Sequence, residues 1–122
     1  QLEQPWLALM EDLQADDMWD DTLIVWMGEF GRTPRLNGRA GRDHFPEATP
    51  VVLAGGNLGG RVIGQTSDDG SRRIGKTHRV ADMMATLMTL MGLDVDASYT
   101  TDFGSPTTVT DDGSPIQEIM SI

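Results

Sequence analysis

The sequence predicts an α/β fold with central buried strands, two main helices and a small terminal β-hairpin. Two short apolar runs, at 22–27 and 49–54, flank a long polar loop, and amphipathic helical patterns lie at 1–19 and 78–91. A buried strand, a charged loop and a second buried strand are how an α/β protein presents a site at the carboxyl ends of its strands. The 122 residues suffice for one domain, 1–122, with a core of ordinary size.

The composition excludes several classes of protein. The formal net charge of −10 argues against nucleic acid or an anionic membrane as the partner of the whole surface. No apolar run approaches the ~20 residues that span a bilayer, and no signal peptide begins at Gln1. Because there is no cysteine, a metal site would have to use Asp, Glu or one of two histidines, His44 and His78. The missing start methionine indicates a processed chain or a fragment.

The first helix is predicted from apolar residues at three- and four-residue spacing. These are Leu2, Trp6, Leu9, Met10 and Leu13. Acidic residues follow Met10, where they oppose the helix dipole, so we expect the helix to end before Trp19. Residues 22–27 are then apolar without alternation, which is typical of a strand covered on both faces.

The middle of the chain reads as loop, strand and turns. Residues 28–48 have no sustained period, and a loop of about twenty residues in a compact domain is usually functional or disordered. A second strand is predicted at 49–54, a tight glycine hairpin turn at 55–60, a returning strand at 61–65 and a further turn at 67–70. The glycine run is not followed by Lys-Ser/Thr and does not open a helix, so a nucleotide-binding loop is excluded.

The last third predicts a helix and a hairpin. Apolar residues at helical spacing fill 78–91, and Gly92 is a typical helix stop. The turn-rich tail from Tyr99 to Ile116 predicts a small β-hairpin or meander. His78, near the helix start, is either a metal ligand or a cap, or has neither role.

Glu29 and the Asp43-His44 pair are the candidate chemical groups of the polar loop. Glu29 directly follows the first strand, which suits a metal ligand or a proton-transfer group. The alternative is a surface ion pair with Arg32 or Arg35. Asp43 and His44 can both bind one divalent cation with Glu29 as third ligand, or Asp43 can orient His44 as the ligand. A loop-stabilising hydrogen bond with no metal is the remaining alternative.

Four arginines lie in the same loop, at positions 32, 35, 39 and 42. Guanidinium groups match phosphate, sulfate and carboxylate geometry, so these residues are candidate anion ligands, with Arg32 and Arg42 the best placed. The alternative is that they are solvated or paired with the many acids.

Three segments together resemble a known family. They are GEFGRTP at 28–34, GRDHFPEATPVVLAGGNLGGRVIGQTSDDG at 41–70 and DMMATLMTLMGLD at 82–94. They are similar to the C-terminal part of DUF1501 proteins, over about residues 21–120. The resemblance implies a bacterial, often exported protein of the alkaline phosphatase/sulfatase-like superfamily. It also implies that the chain is the C-terminal part of an alkaline phosphatase-like α/β sandwich, with metal ligands on loops at the strand ends.

The resemblance also implies a function. Glu29, Asp43 and His44 would bind a divalent cation (Zn, Ca, Mg or Mn), while Arg32 and Arg42 would hold the substrate's anionic group. We therefore predict part of a metal-dependent hydrolase of phosphate or sulfate esters, small or polysaccharide. The alternative is a catalytically silent exported binding protein, and it is favoured by one departure: the Asp-His pair expected after the first strand is replaced, so one imidazole is missing. A second departure, the missing nucleophile segment, is what indicates the C-terminal part of a larger protein. The missing N-terminal part or a dimer mate is the expected cover for an open sheet edge.

Overall fold

The computed structural model describes residues 2–121, which form a mixed α/β structure. Within this range there are three helices and four separate pairs of antiparallel strands. The α/β class is therefore confirmed. The chain divides into two compact units, Gln1–Thr77 and His78–Ile122, each described by itself below. The single domain over 1–122 stays a prediction. None of the described helices is both long and apolar enough to cross a bilayer.

Helix α1 spans Glu3–Ala15, and its end before Trp19 is confirmed. The predicted position Gln1 lies outside the described residues. The predicted apolar face is only partly covered, because no residue of the helix is buried. Its main aromatic contact joins Trp6 to Trp26, with ring centroids 6.2 Å apart.

Strand β1, Leu23–Met27, pairs antiparallel with β4, Val51–Gly55, with Met27 opposite Val51. The prediction of a strand covered on both faces is wrong: the Trp26 side chain is 53% exposed. The reason is that residues 2–77 contain one helix, α1, and a single helix can cover only one face of a sheet. The prediction that both strands present their carboxyl ends to the site is also wrong, because an antiparallel pair places the end of one beside the start of the other. Cover by another segment or a dimer mate stays a prediction.

The polar loop between β1 and β4 contains a second strand pair. Strand β2, Gly31–Arg32, pairs antiparallel with β3, His44–Phe45. The prediction of a loop without regular structure is therefore wrong at these four positions. A two-residue strand is too short to show a period in the sequence. Gly31 is required here, because a Cβ at this position would collide with the carbonyl oxygen of Ala48.

The glycine run after β4 turns the chain without forming a hairpin. Gly55, Gly56 and Asn57 all have positive φ, and the Gly56 N–H donates to the Trp19 carbonyl oxygen at 3.1 Å. The chain therefore does not return along β4. The prediction of a returning strand at 61–65 is wrong except that Gln65 belongs to a strand. Strand β5, Gln65–Thr66, instead pairs with β6, Arg73–Ile74. The predicted turn at 67–70 is confirmed as part of their connection.

The unit His78–Ile122 is built on helix α2, Val80–Leu90, which ends before Gly92 at φ 75°. Strand β7, Ser98–Thr100, pairs with β8, Pro106–Thr108, so the predicted terminal hairpin is confirmed. A short helix α3, Gln117–Met120, was missed by the sequence reading because four residues carry no helical period. The buried apolar residues of the described chain are Ala85, Leu87 and Ile116, and all belong to this unit.

Hydrogen bonds fasten the C-terminal segment to α2. The buried Thr86 Oγ1 accepts the Ile116 N–H at 2.8 Å and itself donates to the Asp82 carbonyl oxygen. The Asp82 carboxylate accepts the Ser114 N–H and a guanidinium N–H of Arg79, each at 3.1 Å. The bonds from Ile116 and Ser114 span 30 and 32 positions in sequence and join the C-terminal segment to one helix.

Candidate functional site

The candidate site lies in the polar loop, on the hairpin formed by β2 and β3. In this hairpin Arg32 is directly opposite His44. Because directly opposed residues of an antiparallel pair project to the same face, the guanidinium and the imidazole belong to one face of the hairpin. Both residues are exposed. The sequence analysis selected both residues, but it grouped His44 with Asp43 and not with Arg32. The reason is that the register between two-residue strands cannot be predicted from periodicity.

Phe30, which immediately precedes β2, contacts both members of this pair. Its ring stacks on the His44 imidazole, with centroids 3.8 Å apart and planes inclined by 27°. The Arg32 Cζ atom lies 5.4 Å from the Phe30 ring centroid, within the range of a cation–π contact. The Arg32 guanidinium also donates to the Arg42 carbonyl oxygen at 3.1 Å. One aromatic ring therefore holds two exposed N–H-bearing groups, which is a suitable arrangement for an oxyanion. Sequence reasoning did not select Phe30.

Arg42 is directed at the backbone of the loop. Its guanidinium donates to the carbonyl oxygen of Thr33 at 2.7 Å and to that of Pro34. These bonds close the loop between β2 and β3. The Arg42 guanidinium therefore has partners in the loop itself, without a bound anion or an acidic side chain. The role of Arg42 in anion binding stays a prediction.

Asp43 makes the loop-stabilising hydrogen bond that was one of the alternatives. Its Oδ1 accepts from the Asn37 Nδ2 at 2.8 Å, while the Asn37 Oδ1 accepts the backbone N–H groups of Arg39 and Gly41. The Asp43 N–H donates to Thr33 Oγ1 at 3.1 Å. The sequence reading missed Asn37, although Asn followed by Gly is a strong turn signal that would have identified it.

Glu29 is exposed, and the alternative of an ion pair with Arg32 or Arg35 is not realised among the described residues. Carboxylates and an imidazole are suitable donors for a divalent cation. However, within residues 2–121 no group of three or more such side chains is placed to hold one. Glu29, Asp43 and His44 are therefore not gathered into such a group, and the metal site stays a prediction.

His78 lies outside the loop, at the start of the second unit. It is half-buried and precedes Arg79, which is the N-cap of α2. The cap role is therefore filled by Arg79. A ligand role for His78 is not needed to explain its position.

Comparison with known proteins gives one match. A family model described as "Protein of unknown function (DUF1501)" matches residues 1–120. The match extends the resemblance, which was predicted from about residue 21, through the first helix. No curated protein and no solved structure matches the chain significantly.

Proposed function

Because the chain belongs to the DUF1501 family of proteins of unknown function, we propose a function from its own geometry. The chain binds the oxyanion of a phosphate or sulfate ester and forms part of a hydrolase of such esters. The observation that carries the proposal is the placement of Arg32 opposite His44, with both side chains held by Phe30.

The charge distribution supports anion binding at this point. Although the net charge is −10, every Lys and Arg lies between Arg32 and Arg79, so the basic residues begin at the candidate site and continue after it in sequence. A guanidinium offers up to five N–H donors in a planar fork that matches the oxygens of phosphate and sulfate. In ester hydrolysis the same donors stabilise charge that develops on the oxygens in the transition state.

The proposal also includes the superfamily, the detailed fold and the location of the protein. The motifs at 28–34 and 41–70 support an alkaline phosphatase/sulfatase-like superfamily relationship, an α/β sandwich and an exported bacterial protein. A divalent cation in such a hydrolase would act as a Lewis acid on the ester oxygen. Since Glu29, Asp43 and His44 do not form a cluster, no step is assigned to that cation.

A catalytically silent binding protein is the second candidate. One face of the His44 ring is covered by Phe30, and Asp43 is engaged by Asn37. Because both side chains already have structural contacts, they are less available for proton transfer or metal binding. This favours a protein that binds an anion without hydrolysing it. The substrate class, an anionic small molecule or polysaccharide ester, is the same for both candidates.

Two measurements separate these candidates. Calorimetric titration with inorganic sulfate and phosphate reports anion binding, and turnover of p-nitrophenyl phosphate and sulfate with Zn, Ca, Mg and Mn reports hydrolysis. We expect Arg32→Ala to weaken anion binding about 10- to 100-fold, because charge-assisted hydrogen bonds contribute roughly 1.5–3 kcal/mol. Arg39→Ala is the matched control, since Arg39 is an exposed arginine of the same loop whose side chain is not part of the stack.

The outcomes are distinct. Turnover that is lost in His44→Ala supports the hydrolase. Anion binding without turnover of any ester supports the silent binding protein. Equal anion affinity of the wild type, Arg32→Ala and Arg39→Ala would overturn both. Elemental analysis of the purified protein, together with the Asp43→Ala/His44→Ala double variant, tests the predicted cation.

A further inference from the structure

A second candidate site lies on the other face of the β2–β3 hairpin. A cleft of about 340 Å³ is lined by Thr33, Pro34, Arg35, Phe45 and Ser71. We propose that this cleft binds a small organic anion. The apolar ring or chain of the ligand would rest on Pro34 and Phe45, and its carboxylate, phosphate or sulfate group would contact Arg35. The volume falls in the range of small-molecule sites, about 300–1,000 Å³.

The cleft is separate from the Arg32–His44 pair. Successive residues of a strand project to opposite faces, and Phe45 directly follows His44 in β3. Phe45 therefore projects to the face opposite the guanidinium–imidazole pair. A ligand in the cleft does not require the oxyanion site, so the two proposals stand or fall independently.

The turn that forms one wall is closed by its own hydrogen bonds. The Asp69 carboxylate accepts from Ser67 Oγ at 2.7 Å and from both the N–H and the Oγ of Ser71. The hydroxyl of Ser67, followed by the groups of Ser71, holds the pKa of Asp69 well below its usual range. The carboxylate is therefore ionised near neutral pH, and the turn keeps its shape without a ligand.

The loop that forms the opposite wall is also held by hydrogen bonds of its own. Arg42 clamps the carbonyl oxygens of Thr33 and Pro34, and Thr33 Oγ1 donates to the Arg35 carbonyl oxygen at 2.9 Å. The two walls meet where Gly70 approaches Pro34, with 3.4 Å between the glycine's ideal Cβ position and the proline Cβ. Because both walls are ordered by their own hydrogen bonds, little ordering cost remains for a ligand.

The chemistry of the ligand follows from Arg35 and Asp69. Within residues 2–121 the exposed Arg35 guanidinium makes no ion pair, and the nearby Asp69 has oxygens already bonded to Ser67 and Ser71. Arg35 is therefore open to an external anion. The negative charge of Asp69 opposes that anion, so a bare inorganic ion binds poorly here. Apolar contact with Pro34 and Phe45 has to supply the remaining affinity, which selects an organic anion.

The test is an NMR titration of the protein with benzoate, compared with benzyl alcohol and with inorganic phosphate. We expect benzoate to shift the amide signals of Thr33, Arg35, Phe45 and Ser71. At the cleft, as read from these four amide signals, the neutral alcohol and the inorganic ion should bind at least about tenfold more weakly than benzoate, because each lacks one of the two contacts. Arg35→Ala should weaken benzoate binding about tenfold or more, whereas Arg39→Ala and Arg32→Ala should leave it unchanged.

Three outcomes would overturn this inference. The first is benzoate shifts that map away from the cleft, and the second is an Arg35→Ala variant that binds benzoate as the wild type does. The third is equal affinity for benzoate and benzyl alcohol, which would show an apolar surface without an anion contact. The Arg32→Ala variant separates the two proposals. It removes the guanidinium of the oxyanion site and leaves the cleft intact, so failure of one site can be measured without the other.

Discussion

In the unit His78–Ile122, helix α2 and the following segment contain the buried side chains Ala85, Leu87 and Ile116. In the unit Gln1–Thr77, the apolar strands β1 and β4 keep side chains such as Trp26 half exposed, and none of the apolar side chains at residues 2–77 is buried. The first unit is ordered around its loop by hydrogen bonds between side chains and backbone. The second is ordered by burial together with a buried hydrogen bond.

This difference indicates where substitutions should be costly. A buried group that loses its partner carries the full cost of desolvation, whereas an exposed group regains water. We therefore expect the largest losses of stability at the closely packed and buried positions of the second unit, and smaller losses at exposed hydrogen bonds and ion pairs of either unit. Four substitutions test this contrast, in order of decreasing expected effect.

Gly113→Ala should have the largest effect on stability. A Cβ at this position would collide with the Ala81 carbonyl oxygen in the backbone of α2, which cannot move aside as a side chain would. We expect a loss of about 3 kcal/mol in the free energy of unfolding, measured by urea titration followed by circular dichroism. Gly60→Ala is the control, because nothing lies within 4 Å of its added Cβ. Equal losses in both variants would contradict the close approach.

Thr86→Val should be the next most damaging change. It removes the hydroxyl that accepts the buried Ile116 N–H while keeping the shape of the side chain. The unpaired N–H should cost about 1–3 kcal/mol in the free energy of unfolding. Thr89→Val is the matched control on the same helix, since the Thr89 hydroxyl only donates to the Ala85 carbonyl oxygen. A loss in Thr89→Val as large as in Thr86→Val would remove the argument for the buried bond.

Asn37→Ala probes the hydrogen-bonded loop of the first unit. The change removes the bonds to Asp43, Arg39 and Gly41 at once, but all are near the surface. We expect a loss of only about 1 kcal/mol and faster amide hydrogen exchange confined to residues 33–43. Exchange that accelerates equally throughout the unit would show that the loop and the strands β1 and β4 unfold together.

Asp82→Asn should have the smallest effect, and one that depends on pH. The Arg79 guanidinium, then the Arg79 and Ser114 N–H groups, hold the pKa of Asp82 well below its usual range. A carboxylate with a lower pKa in the folded state stabilises that state above its unfolded pKa of about 3.9, and the benefit is lost as the pH falls toward the folded value. The effect is modest because the Arg79 side chain is 64% exposed to screening solvent.

Urea titrations at pH 7 and pH 3 measure this difference. The wild type should be more stable than Asp82→Asn at pH 7, and the gap should narrow at pH 3. A gap that is the same at both values would show that ionisation of Asp82 does not contribute to stability.

The sequence predicted the local elements better than their assembly. The helices α1 and α2 carry helical periods and α2 a stop signal, so they were placed within a few residues, and the hairpin of β7 and β8 was indicated by its turn-rich composition. The cover of β1 was mispredicted, because an apolar run reports that burial is favourable and not whether covering elements are present. Pairing of β5 with β6 was missed because positive φ at Gly55 and its neighbours redirects the chain.

The candidate site was predicted by residue type and not by geometry. Arg32 and His44 were both selected, yet their apposition depends on a register that only the folded loop defines. Arg42 and Asp43 have the chemistry of ligands, but the loop uses them to satisfy the backbone and Asn37. Charged side chains in a long loop often serve the loop itself, which composition cannot distinguish from ligand binding.

The most direct test of the account is the affinity of the protein for inorganic sulfate, measured by calorimetry on the wild type, Arg32→Ala and Arg39→Ala. The guanidinium held opposite His44 and over Phe30 is predicted to provide the anion contact. Arg32→Ala should therefore bind sulfate about 10- to 100-fold more weakly, and Arg39→Ala should bind it as the wild type does. Equal losses in the two variants would reduce the effect to general loop charge and contradict a built oxyanion site.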